Sequence, residues 1–94
     1  MHYVIFCTDK PGHGQVRQDN RPAHVEYLKA NTDNIVMAGP CLSDDGENMI
    51  GSTLIMDLPD RAAAEAFAEN DPYAKAGLFE SVIIRPWKKV LPAD

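Results

Sequence analysis

The stretch His2–Thr8, HYVIFCT, decides the fold. Its β-branched and aromatic residues read as a strand, with Tyr3, Ile5 and Cys7 on one pleat face and Val4 and Phe6 on the other. A strand apolar on both faces belongs in the middle of a sheet and needs cover on both sides. Working outward, Met49–Asp57 (MIGSTLIMD) is apolar enough to lie beside it. Gly51 within that run admits either a close backbone or ligand approach or a bulge. Ile35–Cys41 (IVMAGPC) and Leu78–Lys88 (LFESVIIRPWK) also read as strands, but Pro40 and Pro86 confine them to sheet edges or strand ends.

Between the strands, two segments have helical character. The first is expected from Asp19 or Asn20, either of which suits the cap, to about Asn31, with Ala23, Tyr27 and Ala30 in one row and Val25 and Leu28 in another. The polar segment Asp9–Asn20 before it, with Pro11-Gly12-His13-Gly14, reads as a flexible loop in which His13 is solvated. Asp60 caps a second, alanine-rich helix over Arg61–Asn70, which Pro72 stops. Tyr73–Gly77 reads as a short helical turn, and Ser43–Glu47 as a hairpin turn with solvated acids. The tail Val90–Asp94 is expected to be loosely held.

The order β-α-β-β-α-β, closed by right-handed crossovers, predicts an α+β, ferredoxin-like sandwich: a four-stranded antiparallel sheet in spatial order 4-1-3-2 with both helices on one face. The other face would then expose Val4 and Phe6. A second copy of the chain is the simplest cover, so a homodimer packed sheet to sheet is expected.

A length of 94 residues predicts one domain over 1–94, with enough apolar residues for its own core. A formal charge of -5 without a Lys or Arg cluster argues against a nucleic-acid partner. No apolar run has the length of a membrane span, and the strand-like N-terminus does not read as a signal segment, so a cytoplasmic protein is expected. Cys7 and Cys41 lie in apolar stretches without C-x-x-C spacing and read as buried, reduced thiols. His2, His13 and His24 lack metal-ligand spacing, so neither a metal nor a cofactor is expected.

The chemistry centres on Arg21-Pro22-Ala23-His24. With Pro22 in the first turn of a helix, His24 would sit beside the positive end of the helix dipole, which favours the neutral, proton-accepting ring. Asp71, held in extended backbone just past the second helix by Pro72, is a carboxylate able to orient that ring. Two readings follow: a catalytic His-Asp pair, or a structural pair tying a helix start to a helix end. Arg21 suits a planar substrate anion or an exposed salt bridge. Tyr73 suits a hydrogen bond to substrate or packing against the first helix, and Ser52 would line the site if its pleat face turns that way. Trp87 fits a role in the sheet or dimer.

Taken together, Tyr3-Val4-Ile5, Arg21-Pro22-Ala23-His24, Ala38-Gly39-Pro40, Gly51-Ser52-Thr53, Asp71-Pro72-Tyr73 and Arg85-Pro86-Trp87-Lys88 resemble the YCII-related (YciI-like) proteins over essentially the whole chain. The resemblance implies a dimeric α+β barrel. It also implies a His-Asp pair at His24 and Asp71, and chemistry that includes dehydrochlorination of chlorinated hydroxyquinol-type aromatics. The fold is similar to that of muconolactone isomerases, so cofactor-free elimination or isomerisation of a small molecule is the expected function. A noncatalytic module binding a small ligand or a protein in the same cleft is the alternative.

Overall fold

The computed structural model describes residues 1–93. The elements run β1 (His2–Asp9), α1 (Gly14–Ala30), β2 (Ile35–Leu42), β3 (Met49–Asp57), α2 (Arg61–Glu69), α3 (Pro72–Lys75) and β4 (Phe79–Trp87). They form a four-stranded antiparallel sheet in the order β2-β3-β1-β4, which is the expected ferredoxin-like topology with the proline-bearing strands at its edges.

Pleat alternation sorts the residues as the strand pattern dictates. Tyr3, Ile5 and Cys7 of β1 stand beside Met56, Leu54 and Ser52 of β3 on the helix-covered face. Ala64 and Phe67 of α2 close over them, with Tyr27 and Leu28 of α1 packed against the same cluster. Tyr27 stacks on Phe67 and donates its hydroxyl proton to the Phe67 carbonyl, at 2.8 Å, so the two helices are joined directly. Strand β1 lies so close to β3 that a methyl group on Gly51 would collide with the Cys7 carbonyl oxygen. The register of β3 against β2 also shifts beside this residue, between the Cys41–Gly51 and Leu42–Met49 pairs, so a close backbone approach on one side and a ladder irregularity on the other coincide at the glycine.

The first helix departs from expectation. It begins at Gly14, not at Asp19 or Asn20, and takes up half of the segment read as a loop. Gln15, Arg17 and Gln18 are good helix formers, and Gln15 bonds to Asp19 one turn on, at 2.8 Å. Pro22 therefore sits in the helix interior and leaves the Gln18 carbonyl without its usual donor, at a cost of up to ~3 kcal/mol. Both residues are exposed, so water can take that bond. His24 accordingly lies almost three turns into α1, far from the positive end of its dipole, and the argument for a neutral ring from the helix start does not hold.

The second helix keeps its expected cap: the Asp60 side chain accepts from Ala63 N at 2.8 Å. Asp71 is extended (φ -62, ψ 129), as the following proline demands, and caps α3 by accepting from the Tyr73 amide at 2.9 Å. Val90 and Leu91 are exposed beyond the last strand. The final residue of the expected loose tail, Asp94, lies outside the described residues.

Candidate active site

The inward stripe of α1 is not its most apolar one. Arg17 and His24, seven residues and two turns apart, are its buried residues. His24 is buried rather than placed on the surface between apolar rows, because Asp71 and Tyr73 from the α2–β4 connection receive it.

His24 Nδ1 lies 2.9 Å from Asp71 Oδ1 with both side chains almost fully buried. A carboxylate only accepts, so Nδ1 donates, and in the neutral form of the ring the lone pair is on Nε2. Nε2 has no protein partner among the described residues, yet it is not sealed from solvent, and His24 lines a cavity. The Asp71 oxygen that holds the imidazole also takes the Tyr73 amide, so one atom fixes ring orientation and the start of α3 together.

Tyr73 is sandwiched. One side of its ring stacks on His24, centroids 4.0 Å apart and 16° from parallel, and the Arg17 guanidinium carbon stands 4.5 Å from its centroid. Burial raises the Tyr73 phenol above its usual range, against the opposing pull of Arg17 and Arg21. Arg17 itself is buried. It makes a bidentate pair with Asp9, Nε to Oδ2 at 2.7 Å and Nη2 to Oδ1 at 2.9 Å, and Nη2 also donates to Ser52 Oγ at 2.9 Å. Burial alone would lower the Arg17 pKa, but Asp9 and Tyr73 more than offset it, so the guanidinium keeps its charge. Ser52 accepts from Arg17 and keeps its own proton for donation. No histidine or acid bonds to it, so it is not activated as a nucleophile.

Ala38, Pro40, Leu54 and Leu28 complete the walls of the cavity, whose volume is about 160 Å³. A cavity of about 150 Å³ accommodates a benzene ring, so this one suits a single ring with small substituents. Arg21 is exposed at the cavity's edge. Of the residues singled out from the sequence, His24, Asp71, Tyr73, Ser52 and Arg21 thus meet around one space, Asp71 from behind the imidazole. Arg17 and Asp9 were missed. Asp9 follows Cys7 on the helix-covered pleat face, and a carboxylate there demands a buried cation; this was the available signal.

Cys7 is buried on that same face and its thiol is pushed up to about 12, chiefly by burial and then by the Asp71 charge, so it remains protonated. Both cysteines are free, as expected, but Cys41 is only half-buried, because it lies on the edge strand β2. Cys41 Sγ and Thr53 Oγ1 are 3.0 Å apart. Among the described residues no cluster of His, Cys, Asp or Glu could hold a metal ion, and no helix is long and apolar enough to cross a membrane.

The model of the YCII-related domain matches residues 1–88. The chain belongs to the YCII-related family. Among its relatives, protein YciI of Escherichia coli is 37% identical, with 96% of this chain and 99% of that one covered. An uncharacterised protein of Haemophilus influenzae is 37% identical at the same coverage. In structure, this YCII-related chain superposes on the 5-chloro-2-hydroxyhydroquinone dehydrochlorinase TftG of Burkholderia phenoliruptrix, solved with 2,5-dihydroxybenzoquinone, at a TM-score of 0.90 and 40% identity over 100% of both chains. A Pseudomonas aeruginosa protein at 16% identity and a TM-score of 0.56, covering 95% and 92% of the two chains, shares the fold alone.

Proposed function

We propose that this YCII-related protein is a cofactor-independent enzyme that eliminates HCl from a small chlorinated, hydroxylated ring, with His24 as general base and Asp71 as the group that orients it and stabilises its charged form. One observation carries the reading: a buried carboxylate holds Nδ1 of a histidine that lines a cavity the size of one ring. The likeness to a dehydrochlorinase over the full length of both chains supports the reaction class.

In this reading His24 takes the proton of a ring hydroxyl. The electron pair enters the ring, and the carbon bearing chlorine is protonated. Loss of a second hydroxyl proton then expels chloride and leaves a quinone. The organic framework loses one proton and one chloride, and the two electrons of quinone formation depart with chloride, so no external oxidant is needed. The same base, returning its proton to a different carbon, would serve an isomerisation. Ser52 donates to a ring oxygen, the Arg17 charge stabilises the developing phenolate, and Tyr73 holds the imidazole flat.

The working form in this reading is a homodimer in the cytoplasm. Phe6, Met37 and Ile83 are exposed on the face opposite the helices, beside the half-buried Val4 and Ile55. Two copies packed sheet to sheet would bury them. Phe6→Asp should yield a monomer in sedimentation equilibrium, and a wild type that sediments as a monomer at all concentrations rules the dimer out.

The function is tested by anaerobic incubation with 5-chloro-2-hydroxyhydroquinone, following chloride with an electrode and the quinone by absorbance. Wild type should release the two in equal amounts, and His24→Gln should be slower by roughly 10²–10⁴, the range for loss of a general base. Chloride release no faster than in buffer refutes the reaction, and an unimpaired His24→Gln refutes the base.

A further inference from the structure

The space around His24 continues outward. Between the loop joining β1 to α1 and the hairpin joining β2 to β3 lies a wider cleft of about 720 Å³, and Arg17, Arg21 and Met49 line both spaces. In a chain of net charge -5, this cleft has an unusual balance. Asp9 is neutralised by Arg17, which leaves Glu47 sharing the cleft walls with Lys10, Arg21 and His13. Neither Lys10 nor Arg21 forms an ion pair among the described residues.

We propose that the natural ligand is a single-ring compound bearing a carboxylate, with its ring in the inner cavity against His24 and its carboxylate in the outer cleft on Arg21. The inference rests on the reading of His24 as the group that meets the substrate. Three features point to it. An inner volume of about 160 Å³ holds one ring and no long substituent, so an arm must leave through the mouth. Arg17 offers the arm no two-nitrogen fork, because its Nε and Nη2 are engaged by Asp9 and Ser52. Arg21, at the junction, presents a planar fork with no acid bound to it, the donor geometry that matches a carboxylate.

The test uses three probes sharing one ring and differing in the arm: catechol, 3,4-dihydroxybenzoate and the neutral isostere 3,4-dihydroxybenzamide. Dissociation constants are read from the His24 ring resonances of the full chain in the wild type, Arg21→Gln and Arg21→Lys. The carboxylate should bind the wild type about tenfold more tightly than the amide, the order of one charge-assisted hydrogen bond. That ratio should fall to within about twofold of unity in Arg21→Gln, recover in part in Arg21→Lys, and shrink with added salt, as expected of a solvent-exposed contact. Equal affinities for carboxylate and amide in the wild type, or a preference that survives Arg21→Gln, overturn the proposal while leaving the His24 site standing. Resonances of His24 that answer none of the probes overturn both.

Discussion

Replacing Asp71 in two ways separates chemistry from scaffolding. Asp71 Oδ1 accepts from His24 Nδ1 and from the Tyr73 amide, both at 2.9 Å, in a buried position. Asp71→Ala removes the cap of α3, worth ~1 kcal/mol, and strands a buried ring donor at a further cost of ~1–3 kcal/mol. The sum, about 2–4 kcal/mol, corresponds to a drop in Tm on the order of 8–30 °C for a domain of this size. Asp71→Asn keeps an oxygen in place for both bonds and should stay within about 1 kcal/mol of the wild type. It removes the negative charge that stabilises the imidazolium formed on proton transfer, so turnover should fall by roughly 10²–10⁴. Thermal melts beside initial rates of chloride release make the comparison. If Asp71→Asn melts as early as Asp71→Ala, or turns over as fast as the wild type, the carboxylate is a structural tie and the catalytic argument fails.

Other perturbations probe the surroundings of the site. Arg17→Met leaves the Asp9 carboxylate buried and unpaired, so urea unfolding should register a loss of ~3–5 kcal/mol, and adding Asp9→Leu should recover much of it. Gly51→Ala drives a methyl group into the Cys7 carbonyl and should cost about 1–3 kcal/mol by overpacking, measured by the same unfolding. The Cys7 thiol, raised from 9.0 to about 12 by burial, stays protonated in the folded chain after the unfolded chain has begun to ionise. Stability should therefore be unaffected by this group below pH 9 and decline as pH climbs toward 12, by at most ~1.4 kcal/mol per unit, with a shallower decline in Cys7→Ala. Identical alkaline slopes would count against it. Iodoacetamide at pH 8 should label Cys7 after denaturation and spare it in the native protein, which mass spectrometry reads directly.

The strands were legible because their period is short and their environment uniform. HYVIFCT declared a two-faced central strand, and Pro40 and Pro86 declared the edges, so the sheet order followed from backbone hydrogen bonding alone. Asp60 and Pro72 marked the ends of α2 for equally local reasons, a side-chain acceptor and a ring that forbids helical geometry before it. The first helix was not legible. Helical period shows in a sequence through apolar residues, whereas the residues that α1 buries are Arg17 and His24, whose burial is favourable only because Asp9, Ser52, Asp71 and Tyr73 await them from three other elements. Pro22 then looked like a start, because its cost in a helix interior is visible locally and the compensating contacts are not.

The sequence by itself determined the topology, the central and edge strands, and the identity of the two residues most able to share a proton, since each depends on local conformational preference or on residue type. Tertiary structure decided that His24 and Asp71 stand 2.9 Å apart, that the Tyr73 ring meets both an imidazole and a guanidinium, and that His24 lines a space for one ring. The first of those relations joins residues 47 positions apart in the chain. No local rule carries such a distance; only the packing of α1 and α3 against one face of the sheet does.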